Sequence, residues 1–221
     1  MTHSHKVLLI GGHGKVALLA TPKLIDASLT VTSLFRNPDH TAEIEELGAT
    51  PLLRDVTELS VEDWAEVMRD VDTVVWSAGN GGKNGPDATY AIDRDAAIAS
   101  IDGAAFLGED APRYIMVRYI GATKHTVDPS HSFYPYAASK KAADEHLAAS
   151  GLDYLILAPA ALTLDEVDGI SVIADDPEAA GERSTSRHLV AQVIAEFAAR
   201  DAFPENRVLA FVDGGDKVSE I

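Results

Sequence analysis

The sequence predicts an α/β fold: a doubly wound parallel sheet with helices on both faces. Three observations carry it. Apolar, β-branched runs alternate with helical patterns almost to the end of the chain. The first of these runs stops on a glycine-rich turn that opens directly into a helix. And 221 residues, 46% of them hydrophobic, are enough to bury one substantial core.

Residues 6–10, KVLLI, form the first strand candidate, apolar from Val7 to Ile10 as a strand buried on both faces must be. Gly11-Gly12-His13-Gly14 ends it, and a helical pattern over 15–25 begins at once. A strand over 29–35 follows, then a helix over 41–47 that Gly48 closes with a residue free to turn left-handed. Strand 50–53, helix 61–68 and strand 73–76 repeat the alternation. A long helix over 90–106, a strand over 114–117 and a helix over 136–150 come next, the last closed by Gly151. Strand 154–157, helix 186–200 and strand 208–212 complete the series.

Such units join parallel strands, and right-handed crossovers leave the doubly wound sheet as their natural topology. No repeat, low-complexity tract or linker breaks the pattern, so one domain over 1–221 is expected. The least regular stretches, 79–88, 120–135 and 163–183, each follow a strand. They are therefore expected to gather at the carboxyl edge of the sheet as substrate loops.

Composition excludes several chemistries. With no cysteine, disulfides, thiolate catalysis and zinc–thiolate sites are out. No run approaches the ~18 apolar residues of a membrane span, and the opening MTHSHK lacks a signal peptide's apolar stretch, so a cytoplasmic location is expected. The net charge of −17 repels polyanions and argues against a nucleic-acid partner. An anionic cofactor then requires a local positive site.

Gly11, Gly14 and Ala17 fall in the order G-x-x-G-x-x-A, a variant of the dinucleotide fingerprint. Between strand and helix, Gly11, Gly12, His13 and Gly14 let backbone approach a pyrophosphate, and the first turn at Lys15 and Val16 offers free N–H groups to it. The alternative is a glycine-rich turn without a ligand. Lys15 either reaches a phosphate or is an exposed first-turn lysine. After the second strand, Arg36 and Asn37 stand where a carboxylate would accept the ribose 2′-OH of NAD. A basic residue suits a 2′-phosphate, which favours NADP(H) over NAD(H); otherwise Arg36 is an exposed end to the strand. Asp55-Val56 after the third strand and Ser77-Ala78-Gly79 after the fourth are candidates for the adenine and for the ribose and nicotinamide side.

Tyr136 and Lys140 stand one turn apart on one helix face. An ammonium beside a phenol lowers its pKa from about 10, making it a proton donor or acceptor, and the lysine can also hold ribose hydroxyls. His125, His131 and Asp128 lack metal-ligand spacing and read as solvated loop residues. Asp93 and Asp95 read as contacts to solvent or neighbours.

GGHGKVA, FRNP, DV at 55–56, SAG at 77–79, YAASK and the GLDYLILAPAALT run resemble the atypical short-chain dehydrogenase/reductases. More narrowly, they are similar to the NAD(P)H-binding, NmrA-like and biliverdin/flavin reductase-B-like branch. The resemblance implies a Rossmann-like fold, an NAD(P)H cofactor and a small-molecule substrate, in a monomer or homodimer. It also implies that the turn over 157–163 closes over the nicotinamide, here through Pro159, Ala160, Ala161 and Leu162. Where the family's fifth strand usually ends in a serine pair that holds the substrate carbonyl, this chain has Arg118-Tyr119. Tyr119 could offer a phenol instead, and Arg118 could bind an anionic substrate; otherwise the catalytic set is broken.

An oxidoreductase acting on a small carbonyl, quinone or flavin-like substrate is the resulting expectation, with Tyr136 either the proton donor or a structural residue beside a ribose-holding Lys140. The alternatives are a non-catalytic NADP(H) redox sensor and a sugar-nucleotide epimerase or dehydratase. The last usually needs a larger C-terminal domain, and here a helix and a strand claim about half of residues 164–221.

Overall fold

The computed structural model describes residues 4–81 and 84–221. Its first half alternates β1 (Lys6–Ile10), α1 (Lys15–Asp26), β2 (Thr30–Phe35), α2 (Thr41–Glu46), β3 (Thr50–Leu53), α3 (Val61–Met68) and β4 (Thr73–Trp76). A helical stretch follows in three parts: α4 (Gly85–Tyr90), a π-helical turn (Ala91–Ala96) and α5 (Ala97–Phe106). Then come β5 (Arg113–Val117), α6 (Tyr134–Ala149), β6 (Tyr154–Pro159), β7 (Ala161–Thr163), β8 (Gly169–Ile173) and β9 (Ser184–Ser186). The chain closes with α7 (Arg187–Ala199), β10 (Val208–Asp213) and β11 (Asp216–Lys217).

Nine strands form one sheet in the order β11-β8-β10-β6-β5-β4-β1-β2-β3. From β3 to β10 every pairing is parallel. The strand order reverses between β1 and β4, so crossovers from these two strands leave in opposite directions and open a crevice at their carboxyl ends.

Side-chain alternation fills both faces. Val7 and Leu9 of β1 and Val75 of β4 pack with Leu24 of α1 and Ile194 of α7. Leu8, Ile10, Val74 and Trp76 face the other way, onto Trp64 of α3, Ile101 of α5 and Leu147 of α6. Full burial of each such Leu or Ile contributes about 1.5–3 kcal/mol. Ser60 starts α3 with a reciprocal capping box to Asp63.

Two expectations need correction. The helix expected over 90–106 begins earlier, at Gly85, and contains the π turn. The stretch 163–183 is not irregular throughout, because β8 runs antiparallel to β10 and carries β11 on its outer edge. As a short strand with Ile170 buried and Val172 exposed, it gives only a weak apolar signal.

Of the stretch 79–88, residues 82–83 lie outside the described ones and 85–88 are helical. The other two irregular stretches meet. Pro177 seats over Gly121, where a Cβ would lie 2.5 Å from the proline ring, and the Gly121 N–H donates to Asp175 Oδ1 at 2.7 Å.

Candidate functional site

A cleft of about 300 Å³ opens at the reversal point. Gly11, His13 and Gly14 line it from the β1–α1 turn, Arg36, Asn37 and His40 from beyond β2, and Arg54, Asp55 and Val56 from beyond β3. Ser77, Ala78 and Gly79 after β4 complete the wall. Gly11 has φ +81°, and a Cβ there would fall 2.7 Å from the Ala78 Cα. Only glycine lets these two strand ends lie side by side. The turn is pinned by the Gly11 and Gly12 N–H groups, which both donate to the Leu34 carbonyl, at 3.0 and 2.8 Å. No side chain caps α1. Its first N–H groups, at Lys15, Val16 and Ala17, therefore remain open to an anion. The cradle and the open helix end fit a dinucleotide pyrophosphate. Lys15 itself is exposed and lies outside the cleft lining.

At the far end, the Arg36 side chain is 68% exposed and its guanidinium lies 3.7 Å from Asp55 Oδ2. Burial works to raise the Asp55 carboxyl, but hydrogen bonds from Thr57 and the nearby Arg36 outweigh it and hold it below the ordinary carboxylate range. One Asp55 oxygen is already taken by the Thr57 N–H and hydroxyl. Arg54 and His40, unassigned by sequence reasoning, also line this end. The His13 and His40 rings stack with centroids 3.4 Å apart, and His13 Nε2 lies 2.7 Å from Glu43 Oε2.

Beyond Gly79 stand Tyr136 and Lys140. Lys140 is 2% exposed, and its Nζ lies 2.9 Å from the fully buried Asp93. A Cβ on Gly79 would lie 3.8 Å from that Nζ, so the lysine sits directly beside the cleft wall. Lys140 Nζ also lies over the Tyr136 ring, 5.5 Å from its centroid. The Tyr136 hydroxyl has no hydrogen-bond partner among the described residues. Lys140 acts to lower the Tyr136 pKa, as expected, but the net shift runs the other way. Burial pushes the phenol up, Asp93 and Asp144 add to this, and Lys140 opposes them without prevailing.

Arg118 is not available to a substrate. It is 4% exposed, and its guanidinium is held by Asp144 at 2.6 Å and by Asp175 at 2.9 and 2.7 Å. Tyr119 also departs from the role expected of it. Its hydroxyl is sealed and unpartnered among the described residues, and burial pushes its pKa to about 12. Its ring forms a wall, 5.6 Å from Tyr136 and 5.5 Å from the half-exposed Phe133.

Pro159 and Ala160 are buried at the end of β6, where the Ala160 N–H donates to Thr185 Oγ1 at 2.9 Å. Ala161 and Leu162 are exposed in β7, which pairs with β9. These four lie outside the cleft lining, on the side of the sheet edge that carries β5 and Tyr119. Sequence reasoning left Asp93 and Asp144 without a role. A signal was present: Asp93 shares an apolar stripe with Ala97 and Ile101, and Asp144 follows Tyr136 and Lys140 at helical spacing.

Comparison with known proteins agrees with this fold. The profile of a family described as NAD(P)H-binding matches residues 11–201. An uncharacterized sugar epimerase of Bacillus subtilis, YhfK, is 31% identical over 97% of this chain and 97% of its own. A solved NAD-dependent epimerase/dehydratase candidate from Bacillus halodurans superposes with a TM-score of 0.84 at 28% identity, covering 98% of each chain. ChuY, an anaerobillin reductase from Escherichia coli O157:H7, shares the fold at a TM-score of 0.74 and 20% identity, over 94% of this chain and 97% of its own.

Proposed function

The chain belongs to the NAD(P)H-binding family, and on that footing we propose that it is an NADP(H)-dependent oxidoreductase acting on a small carbonyl, quinone or flavin-like substrate. When bound, the nicotinamide supplies the hydride. One observation carries the assignment of the remaining roles: the Tyr136–Lys140 pair stands beside Gly79, at the end of the cleft opposite Arg36. The Gly11–Gly14 turn and the first turn of α1 hold the pyrophosphate, and Lys140 holds ribose hydroxyls. Arg36 and Arg54 receive the 2′-phosphate. An acceptor that takes a hydride needs one proton to become the neutral reduced product. The Tyr136 phenol gives that proton and recovers one from water. Tyr119 and Phe133 present ring surface to a flat, conjugated acceptor.

The epimerase reading draws on the name of the B. subtilis relative. Against it, β8, β10 and β11 all extend the main sheet, and α7 packs on it, so the described residues after Thr163 build no separate substrate lobe.

The test is a titration with NADPH and NADH followed by nicotinamide fluorescence, then turnover with quinones, flavins and aldehydes. NADPH-selective binding with acceptor-dependent oxidation is expected. Tight binding with no turnover on any acceptor would replace this reading with that of a redox sensor.

A further inference from the structure

Asp93 is a fully buried carboxylate at the site, and it is held from two sides. Its Oδ1 meets Lys140 Nζ at 2.9 Å, and its Oδ2 accepts the Asn80 N–H at 2.9 Å. Asn80 in turn donates from Nδ2 to Thr89 Oγ1 at 3.1 Å. The carboxylate is thereby tied to the turn after β4 whose Gly79 lines the cleft, and a Cβ on Gly79 would lie 3.0 Å from Oδ1. Asp93 itself sits in the π-helical turn, an irregularity found more often at functional positions than in plain scaffold.

A buried ion pair is a costly way to fill space, since apolar side chains of the same volume usually stabilise at least as well. Its value here lies in what it does to Tyr136. Among the described residues, the charged and titratable groups facing that phenol are Lys140 and Asp144 from α6, Asp93 from the π turn, and Arg118 and Tyr119 from beyond β5. Lys140 is matched by Asp93, and Arg118 is matched by Asp144 and Asp175. Among the described residues, each cation facing the phenol thus has a carboxylate partner.

We infer that Asp93 is a positioning residue: it holds the Lys140 ammonium beneath the Gly79–Asn80 turn and offsets its charge at the Tyr136 ring, so that Tyr136 keeps its proton until an acceptor takes it. This rests on the reading of Tyr136 as proton donor. Burial, Asp93 and Asp144 all act on the phenol in the same direction, towards the protonated form.

The experiment is an ultraviolet titration of the Tyr136 phenol in the nucleotide-free protein, with Tyr136→Phe as the blank. Asp93→Asn leaves the ammonium uncancelled and is expected to bring the midpoint down by about one pH unit. An Asp93→Asn midpoint that stays in place or rises overturns the inference. Should Asp93→Asn fail to fold, the double variant Asp93→Asn/Lys140→Met removes both charges of the pair. Removing a pair whose charges offset each other at the ring is expected to move the midpoint by less than about half a unit. A rise of a full unit or more in the double variant would show the ammonium acting unopposed and sink the idea. The titration needs no turnover, so its failure is separate from that of the oxidoreductase reading, which the acceptor panel decides.

Discussion

Arg118 Nε lies 2.6 Å from Asp144 Oδ2, with both side chains sealed from solvent, and the same guanidinium forks onto Asp175. One cation therefore ties the end of β5, the middle of α6 and the segment after β8. The Gly121 N–H and the Lys124 ammonium add bonds to Asp175, at Oδ1 and at its carbonyl. The wall of Tyr119 and Tyr136 stands on this junction.

Removing the cation strands two carboxylates, one of them buried. Arg118→Met should cost about 3–5 kcal/mol of stability in denaturant unfolding, the usual penalty for breaking a buried pair from one side. Arg118→Lys should recover only part, because an ammonium cannot fork onto both carboxylates. A loss near zero in Arg118→Met would show that the junction bears no weight.

Asp144 carries a pH signature. Burial raises its pKa to about 6, with Arg118 and Lys140 opposing. A folded pKa above the unfolded one means that the native state binds more protons between roughly pH 4 and 6. Stability from this group is full below that window and is lost as pH rises through it. Asp144→Asn removes the effect, so the stability of the variant relative to the parent should climb with pH across the window, by up to about 3 kcal/mol. Asp175 behaves oppositely. Arg118 and the Gly121 N–H outweigh burial and hold its pKa below the ordinary value, so its contribution is lost at lower pH, as acid protonates it. Unfolding midpoints at several pH values check both signs. A flat difference between pH 4 and 6 would refute the assignment to Asp144.

The strands from β1 to β6 and β10 were legible because each is an apolar run between turn residues. The cradle at Gly11–Gly14 was legible because local backbone demands fix residue type there. What escaped depends on contacts across the chain. Arg118 reads as a site residue until Asp144 and Asp175, distant in sequence, are seen to consume it. Asp93 reads as a contact to solvent or to some neighbour until the π turn carries it onto Lys140. The expected fall in the Tyr136 pKa followed from Lys140 alone; burial reverses it, and Asp93 and Asp144 add to that.

Arg36 and Arg54 are the basic side chains that line the far end of the cleft, apart from the two histidines. A charge-assisted hydrogen bond to phosphate is worth about 1.5–3 kcal/mol, so Arg36→Ala should weaken NADPH at least tenfold. NADH, lacking the 2′-phosphate, should change little. Arg54→Ala should show the same asymmetry to a smaller degree. Equal losses for both nucleotides would remove the 2′-phosphate from this end of the cleft.

Gly11→Ala tests the cradle. Its φ of +81° costs an L-residue about 1–2 kcal/mol, and the new Cβ would press into the Ala78 backbone at 2.7 Å. The β1 and β4 ends must part. Affinity for both nucleotides should collapse together, with a lowered unfolding midpoint. Nucleotide affinity surviving in a folded Gly11→Ala protein would place the pyrophosphate elsewhere.

Tyr136→Phe isolates the proton. The ring, its contacts with Tyr119 and Phe133 and the nearby Lys140 are all retained, and only an unpartnered hydroxyl is lost. Nucleotide affinity should therefore stay at the parental value. Turnover of a carbonyl or quinone acceptor should fall about 10²–10⁴-fold, the usual worth of a placed general acid. Loss of affinity together with turnover would point to a structural role. Full turnover would mean that water delivers the proton, and Tyr136 would then serve as part of the aromatic wall on which the acceptor rests.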